Sequence, residues 1–276
     1  MDRDDWQKLP LGRETSYEAS YNPQLLCPLE RQVSRALLRV RDDELPFFGV
    51  DEWWGFELSW LNPKGLPQVA VGRFTFPAES PSMVESKSFK LYLNSFNQTQ
   101  FDSARVVQDI LVRDLSTACG ADVGVALFGV EDATLAVHQP RGCCLDTLDI
   151  ETRRYQPDAA LLKLEQSRGE VEETLYSHLL RSNCPVTGQP DWATVSISYR
   201  GPALQRESLL AYIVSFRDHQ DFHEHCVERI FCDLQGLAEF DHLTVCARYT
   251  RRGGLDINPL RSTLPDAQLP PRYGRQ

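Results

Sequence analysis

What this sequence lacks narrows what it can be. No stretch approaches the roughly 20 apolar residues of a membrane span. The opening MDRDDWQKLPLGRE has no apolar core of the kind a secretory leader needs, so a cytoplasmic chain with reduced thiols is expected. Positive charge is short: 29 Lys and Arg against 39 Asp and Glu leave a net charge of −10. That argues against nucleic acid or an anionic membrane as the main partner. No G-x-G-x-x-G follows a strand, so a dinucleotide would not be held in the Rossmann manner. Histidine is sparse, at 6 residues, and none of the 8 cysteines stands in a C-x-x-C pair. Seven of the 8 cysteines need no chemical role; Cys246, in LTVCARY, reads as a small core residue.

What is present is ordinary globular composition, 42% hydrophobic and 25% charged over 276 residues, enough for one large domain or two small ones. Within it the chain repeats itself. Allowing one gap, NPKGLPQVAVGRFTF (62–76) aligns with CPVTGQPDWATVSISY (184–199), setting Pro63, Gly65, Pro67 and Ala70 on Pro185, Gly188, Pro190 and Ala193. Each loop enters an alternating strand. VESKSFKLYLNSF (84–96) then matches LQRESLLAYIVSF (204–216) at Ser88/Ser208, Tyr92/Tyr212, Ser95/Ser215 and Phe96/Phe216, and is read as a further strand. A helix follows in each half, the first capped by Asp102 and ended by Gly120 with Val107, Ile110 and Leu111 as its stripe. The second helix carries Val227, Ile230, Phe231, Leu234 and Leu237, and a last strand closes each half at 123–130 and 243–250. Strand, strand, helix, strand in duplicate predicts an α+β fold of antiparallel sheet with helices on one face.

The two copies differ where chemistry would show. Cys184 and Asp191 stand opposite Asn62 and Gln68, and HEHC (223–226) has no counterpart in the first half. A thiol and a carboxyl flanking one loop can act as nucleophile and proton donor, or can be a packed cysteine and a turn aspartate. The polar residues divide between the halves as though one site drew on both. HEHC is not H-E-x-x-H, so no helix face presents both histidines to a metal. Glu224, three residues after Asp221, also fits a capping box.

ESKSFKLYLNSF, CPVTGQPDWAT, SFRDHQDFHEHCVERI and TRRGGLDINP, in that order, resemble the NADPH-dependent nitrile reductases of queuosine biosynthesis, the 7-cyano-7-deazaguanine reductases. LGRETSYEASYNP and ELSWLNPKGLPQVAVG look like the long, two-module branch of that family, so the resemblance covers nearly the whole chain. It implies the tunnelling fold (T-fold) in two tandem modules. Residues 1–144 would contribute Glu85, Ser86 and Lys87, and residues 145–276 would carry the connector with Cys184, Asp191, His223 and Glu224. It further implies reduction of 7-cyano-7-deazaguanine to the primary amine with two NADPH, and a homodimer is expected; the acidic charge disfavours direct nucleic-acid contact and the sparse histidines supply no metal set.

The family roles then fall on individual residues. Cys184 would add to the electrophilic nitrile carbon as a thiolate, giving a covalent thioimide. Asp191 would protonate the nitrile nitrogen, which requires a carboxyl kept protonated, and burial beside apolar Trp192 is expected to favour that. His223 and Glu224 would sit in the substrate pocket, a carboxylate meeting the guanine-like N–H edge. Glu85 and Ser86 would also reach substrate, with Val84 giving a backbone contact; without the resemblance Glu85 reads as an exposed acid at a strand entrance. Ser86, Lys87, Arg252 and Gly253 would hold NADPH by charge and backbone N–H donors, although RRGG alone reads as a surface turn. His225 and Cys226 are read as helix residues. Two other functions fit a purine-binding fold: a zinc-dependent pterin-forming hydrolase related to GTP cyclohydrolase, which would need a Cys/His set, and a purine-binding module without catalysis.

Overall fold

The computed structural model describes residues 17–276. The opening MDRDDWQKLPLGRE and residues 11–16 of the LGRETSYEASYNP motif lie outside the described residues. In chain order the elements are β1 (Pro28–Glu30), α1 (Gln32–Arg35), β2 (Phe48–Leu61), β3 (Pro67–Pro77), β4 (Ser82–Val84), α2 (Ser86–Ser95), α3 (Ala104–Cys119) and β5 (Gly124–Phe128). There follow β6 (Cys143–Cys144), β7 (Glu170–Asn183), β8 (Pro190–Pro202), α4 (Arg206–Ser215), α5 (His223–Leu237), β9 (His242–Tyr249) and β10 (Leu255–Ser262). The class is mixed α+β with mainly antiparallel strands. Among the described residues no helix is long and apolar enough to cross a membrane.

Two compact units divide the chain. The first gathers the described residues up to Glu44, Val50–Ala136 and Arg251–Ile257. Its strands run β5-β3-β2, antiparallel throughout, and β1 pairs with β4 in a small separate sheet. Apolar residues of β2 and β3, among them Trp53, Leu58, Phe74 and Phe76, share one core with Phe89, Tyr92 and Phe96 and with Val107, Leu111 and Leu115 of α3. Leu255 and Ile257 complete that core from the far end of the sequence.

The second unit gathers Leu45–Gly49, Val137–Thr250 and Asn258–Gln276. Its strands run β10-β9-β8-β7-β6, with only the two-residue β6 parallel to its neighbour. Of the predicted stripe on α5, Val227, Ile230, Phe231 and Leu234 are buried and Leu237, at the helix end, is half-buried. Phe47 meets Phe231 edge-on at 5.6 Å, and the guanidinium of Arg261 lies 5.3 Å over the same Phe47 ring. Arg261 is ion-paired with buried Glu228 at 2.9 Å.

The repeat is present contact for contact. Both long hairpins carry a β-bulge at the matching place, between Gly55 and Leu58 and between Ser177 and Leu180. Both turns hold a glycine at positive φ, Gly65 at 79° and Gly188 at 67°. Tyr92 donates to Asp114 at 2.7 Å and Tyr212 to Asp233 at 2.6 Å. Ser95 and Ser215 each donate to the carbonyl of the tyrosine three residues before, at 2.6 Å.

Two expectations are corrected. Residues 86–95 and 206–215 form helices, not strands, so each half runs strand, strand, helix, helix, strand, with the short β4 added before the first helix in the first half. Phe89, Tyr92, Leu93 and Phe96 are spaced i, i+3, i+4, i+7, and burying that one face outweighs the strand preference of the aromatics. The cap of α3 is Ser103, whose hydroxyl accepts from the Val106 N–H, not Asp102; Gly120 ends the helix at φ 70°, as expected.

Candidate active site

The candidate residues form two groups, one inside each unit. In the second unit Cys184 follows directly on β7. Its N–H donates to the Gln189 carbonyl and its own carbonyl accepts from Gly188 N–H, both at 2.9 Å, so the loop closes into a tight turn. In the β7–β8 ladder Ser182 is paired with Asp191 and Asn183 with Pro190. Cys184 thus stands two residues past Ser182, the ladder partner of Asp191. Cys184 and Asp191 are buried, at 5% and 3% exposure, which separates them from an ordinary solvent turn.

Asp191 does not draw its surroundings from Trp192. The next residue in β8, Trp192 turns to the opposite face, where the guanidiniums of Arg181, Arg217 and Arg275 lie 5.6–5.9 Å from its ring. The carboxylate of Asp191 instead meets His223 Nε2 at 3.3 Å. The His223 ring is stacked on Tyr249, centroids 3.9 Å apart and 17° from parallel. Burial, with Cys226 and Asp191 nearby, pushes the Tyr249 hydroxyl well above its ordinary value. A thiol, a carboxyl, an imidazole and a phenol thus gather at one end of the β7–β8 hairpin. Tyr249 was not legible as a site residue, since its link to His223 is a contact between separate elements.

His223 and Glu224 open α5. The cap position there is taken by Phe222, one residue after Asp221, with no side-chain cap hydrogen bond of its own. Asp221 lies between two imidazoles, His219 at 3.6 Å and His225 at 3.3 Å. Burial alone would raise its carboxyl, but those two contacts outweigh burial and hold it below the usual carboxylate range. The backbone around it is tied to the residue before the thiol: Asn183 N–H donates to the His219 carbonyl at 2.8 Å, and Asp221 N–H to the Asn183 carbonyl at 3.2 Å. Asp221 therefore supports the Cys184 loop, and its D-x-x-x-H spacing to His225 was the available signal. Cys226 is fully buried, and burial pushes its thiol up, which leaves it a poor nucleophile.

In the first unit, buried Val84 ends β4, and Glu85 caps α2. Glu85 is not an exposed acid: its exposure is 0%. Its two carboxylate oxygens accept from the N–H groups of Lys87 and Ser88, each at 2.8 Å. Burial raises its carboxyl, and the two amides with Lys90 and Lys87 offset that only in part. Ser86 and Lys87 form the first turn of the same helix.

Arg252 and Leu255 bridge as a two-residue turn through Gly253 and Gly254, whose φ values of 56° and 74° demand glycine at both positions. A Cβ on Gly253 would stand 2.9 Å from Lys90 Nζ, so this turn lies against α2 one helical turn beyond Lys87. Lys90 was not singled out from the sequence; its i+3 spacing from Lys87 was the signal. The structure thus brings Ser86 and Lys87 onto the helix that the Arg252–Gly253 turn faces. A helix start, lysines and a glycine turn at positive φ suit a phosphate-bearing ligand.

Two family models match the chain: "Nitrile reductase, 7-cyano-7-deazaguanine-reductase N-term" over residues 17–127 and "QueF-like protein" over residues 190–267. Among similar curated proteins, one from Chromohalobacter salexigens is 59% identical over 92% of this chain and 91% of its own length. Others from Dechloromonas aromatica and Saccharophagus degradans are 56% and 55% identical, over 92% of this chain and 90% and 94% of theirs. All three bear the name NADPH-dependent 7-cyano-7-deazaguanine reductase.

Proposed function

The chain belongs to the 7-cyano-7-deazaguanine nitrile reductase family, and from that premise we propose that it reduces 7-cyano-7-deazaguanine to 7-aminomethyl-7-deazaguanine with NADPH, in the queuosine branch of tRNA modification. The observation that carries the reading is the buried Cys184–Asp191–His223 arrangement, with Asp191 and His223 at 3.3 Å, in a chain so similar to named reductases.

In this reading the Cys184 sulfur adds to the nitrile carbon. One C–S bond forms, one C≡N π bond breaks, and the proton of Asp191 moves to the nitrogen, leaving a thioimide. His223, held by its stack on Tyr249, positions the Asp191 carboxyl and returns its proton. NADPH when bound supplies hydride, and a nitrile-to-amine conversion takes up four electrons, so two are consumed per substrate. Release of the thiolate regenerates Cys184. Lys87, Ser86, Arg252 and Gly253 hold the cofactor; the glycine turn against Lys90 supports that assignment. Glu85, Ser86 and Val84 contact substrate from the first module, and His223 and Glu224 from the second. Glu85 retains lone pairs beyond the two its helix amides use.

Residues 1–144 and 145–276 are the contributing modules, each a tunnelling fold, and neither alone performs the reaction. The working assembly is a cytoplasmic homodimer acting on a small molecule without direct nucleic-acid contact, which the net charge of −10 favours.

The test is to mix purified chain with 7-cyano-7-deazaguanine and follow NADPH absorbance. Two NADPH should disappear per nitrile with no free aldehyde. No consumption, or a ratio of one, would remove the reading.

A further inference from the structure

The β7 bulge gathers a further cluster of thiol, carboxylate and imidazole side chains. Cys144, in β6, Asp146, just after it, and His178, in the bulge of β7, each offer one ligand atom, and the three atoms lie within 4.8 Å of one another. We infer that Cys144, Asp146 and His178 bind a borderline-soft divalent cation, zinc above all, which fastens the connector before β7 to the edge of the sheet.

The arrangement is built, not accidental. The bulge between Ser177 and Leu180 breaks the alternation of β7, the usual way a sheet re-aims a side chain. His178 Nδ1 is engaged with Thr194 Oγ1 at 2.8 Å, which fixes the ring and leaves Nε2 for a ligand. Metal-bound histidines are commonly oriented by a bond of this kind on the other nitrogen. The Asp146 carboxylate is oriented in turn: Ser177 Oγ donates to it at 2.6 Å and the His178 backbone N–H at 3.0 Å. Cys144 is placed by the parallel pairing of β6 with β7, in register with Tyr176.

A tetrahedral zinc with bonds of about 2.0–2.3 Å spaces its ligands by roughly 3.3–3.6 Å, so shifts of about an ångström close the site, with water as fourth ligand. The charges balance: thiolate, carboxylate and neutral imidazole offset the dication. Sulfur and nitrogen donors favour zinc over magnesium or calcium. Binding replaces the Cys144 S–H bond with an S–Zn bond and releases one proton. A two-residue parallel strand is a weak attachment, and a metal across it would strengthen it.

The test uses full-length, reduced, metal-stripped protein loaded with zinc, dialysed and assayed by elemental analysis. About one zinc per chain is expected for the natural sequence and for Cys184→Ala, with retention at least tenfold lower in Cys144→Ser and His178→Ala. Cobalt(II) in place of zinc should give a thiolate charge-transfer band that Cys144→Ser abolishes. Circular dichroism distinguishes a lost ligand from a lost fold. Should His178→Ala fail to fold, Thr194→Val, which keeps all three ligands and frees the ring, should still weaken retention. Zinc retained undiminished by Cys144→Ser, zinc that disappears with Cys184→Ala, or no zinc retained by the natural sequence overturns the inference.

Discussion

Glu85 caps α2 with both oxygens and is also a carboxylate with no exposure, and these two facts pull in opposite directions when the side chain is changed. Glu85→Ala removes the acceptors of two helix amides held at 2.8 Å, one of them on buried Ser88. Losing a cap costs about 0.5–2 kcal/mol, and leaving a buried donor unpaired about 1–3. A total of about 2–3 kcal/mol corresponds to a melting temperature lower by roughly 4–10 °C. Glu85→Gln keeps an acceptor while removing a charge that burial disfavours, so it should cost far less. The pH dependence carries the sign. Because the folded carboxyl is raised, the native state holds the extra proton between the unfolded value and the folded one. That contribution is complete below the unfolded value, about 4.3, and is lost as pH rises through the folded one. The melting temperature of Glu85→Gln should therefore gain on the natural sequence as pH rises from mild acid to neutral, measured by calorimetry over a pH series. Equal losses for the Ala and Gln variants at every pH, or no loss for Ala, would refute the reasoning.

Incubation with the nitrile but without NADPH should leave a mass shift on the Cys184 peptide; Cys184→Ala should show neither shift nor turnover, while Cys226→Ala, whose thiol burial keeps protonated, should retain the adduct. An adduct mapped elsewhere overturns the assignment. Neutralising Lys87 or Arg252 should weaken NADPH binding by about 10- to 100-fold, and more than NADH if they read the 2′-phosphate. Equal losses for both cofactors, read by titration calorimetry, would reassign them. Asp221→Asn should cost about 1.5–3 kcal/mol in urea unfolding at pH 6. Its lowered carboxyl contributes stability that is present above the unfolded value, about 3.9, and is lost as pH falls, so the gap to the natural sequence should close in acid. A gap constant with pH would mean that Asp221 acts by shape and not by charge.

The repeat was legible because its matches do the same work twice. Tyr92 and Tyr212 each bond an aspartate on the next helix, and each packs edge-on against Phe96 or Phe216, at 5.2 and 5.4 Å. Cys184 and Asp191 stand out in the sequence as departures from the first copy, and the structure buries both. The helical state of 86–95 was obscured because Leu91, Tyr92 and Leu93 are consecutive apolar residues that suit either period, and only burial of Phe89 and Phe96 with them decides it. The true surroundings of Asp191 could not be read from its neighbours, since His223 lies far along the chain and Trp192 turns away. Likewise nothing local shows that Glu85 is buried; that follows from the β1–β4 pair, where Cys27 accepts its N–H at 2.9 Å.

The borrowed ends of the two units bear on how such a chain could arise and whether it could be undone. Leu255 and Ile257 complete the first core from beyond the second repeat, and Phe47 packs with Phe231 and Arg261 from just ahead of the first. A duplicated gene whose products had remained independent beads could lose either copy and keep the other intact. Here segments outside the repeats supply each unit with part of its interior, so a cut that keeps only one contiguous half of the sequence leaves that half's core incomplete. Neither half of the sequence is a self-sufficient piece: what fills one core is encoded in part beyond the other.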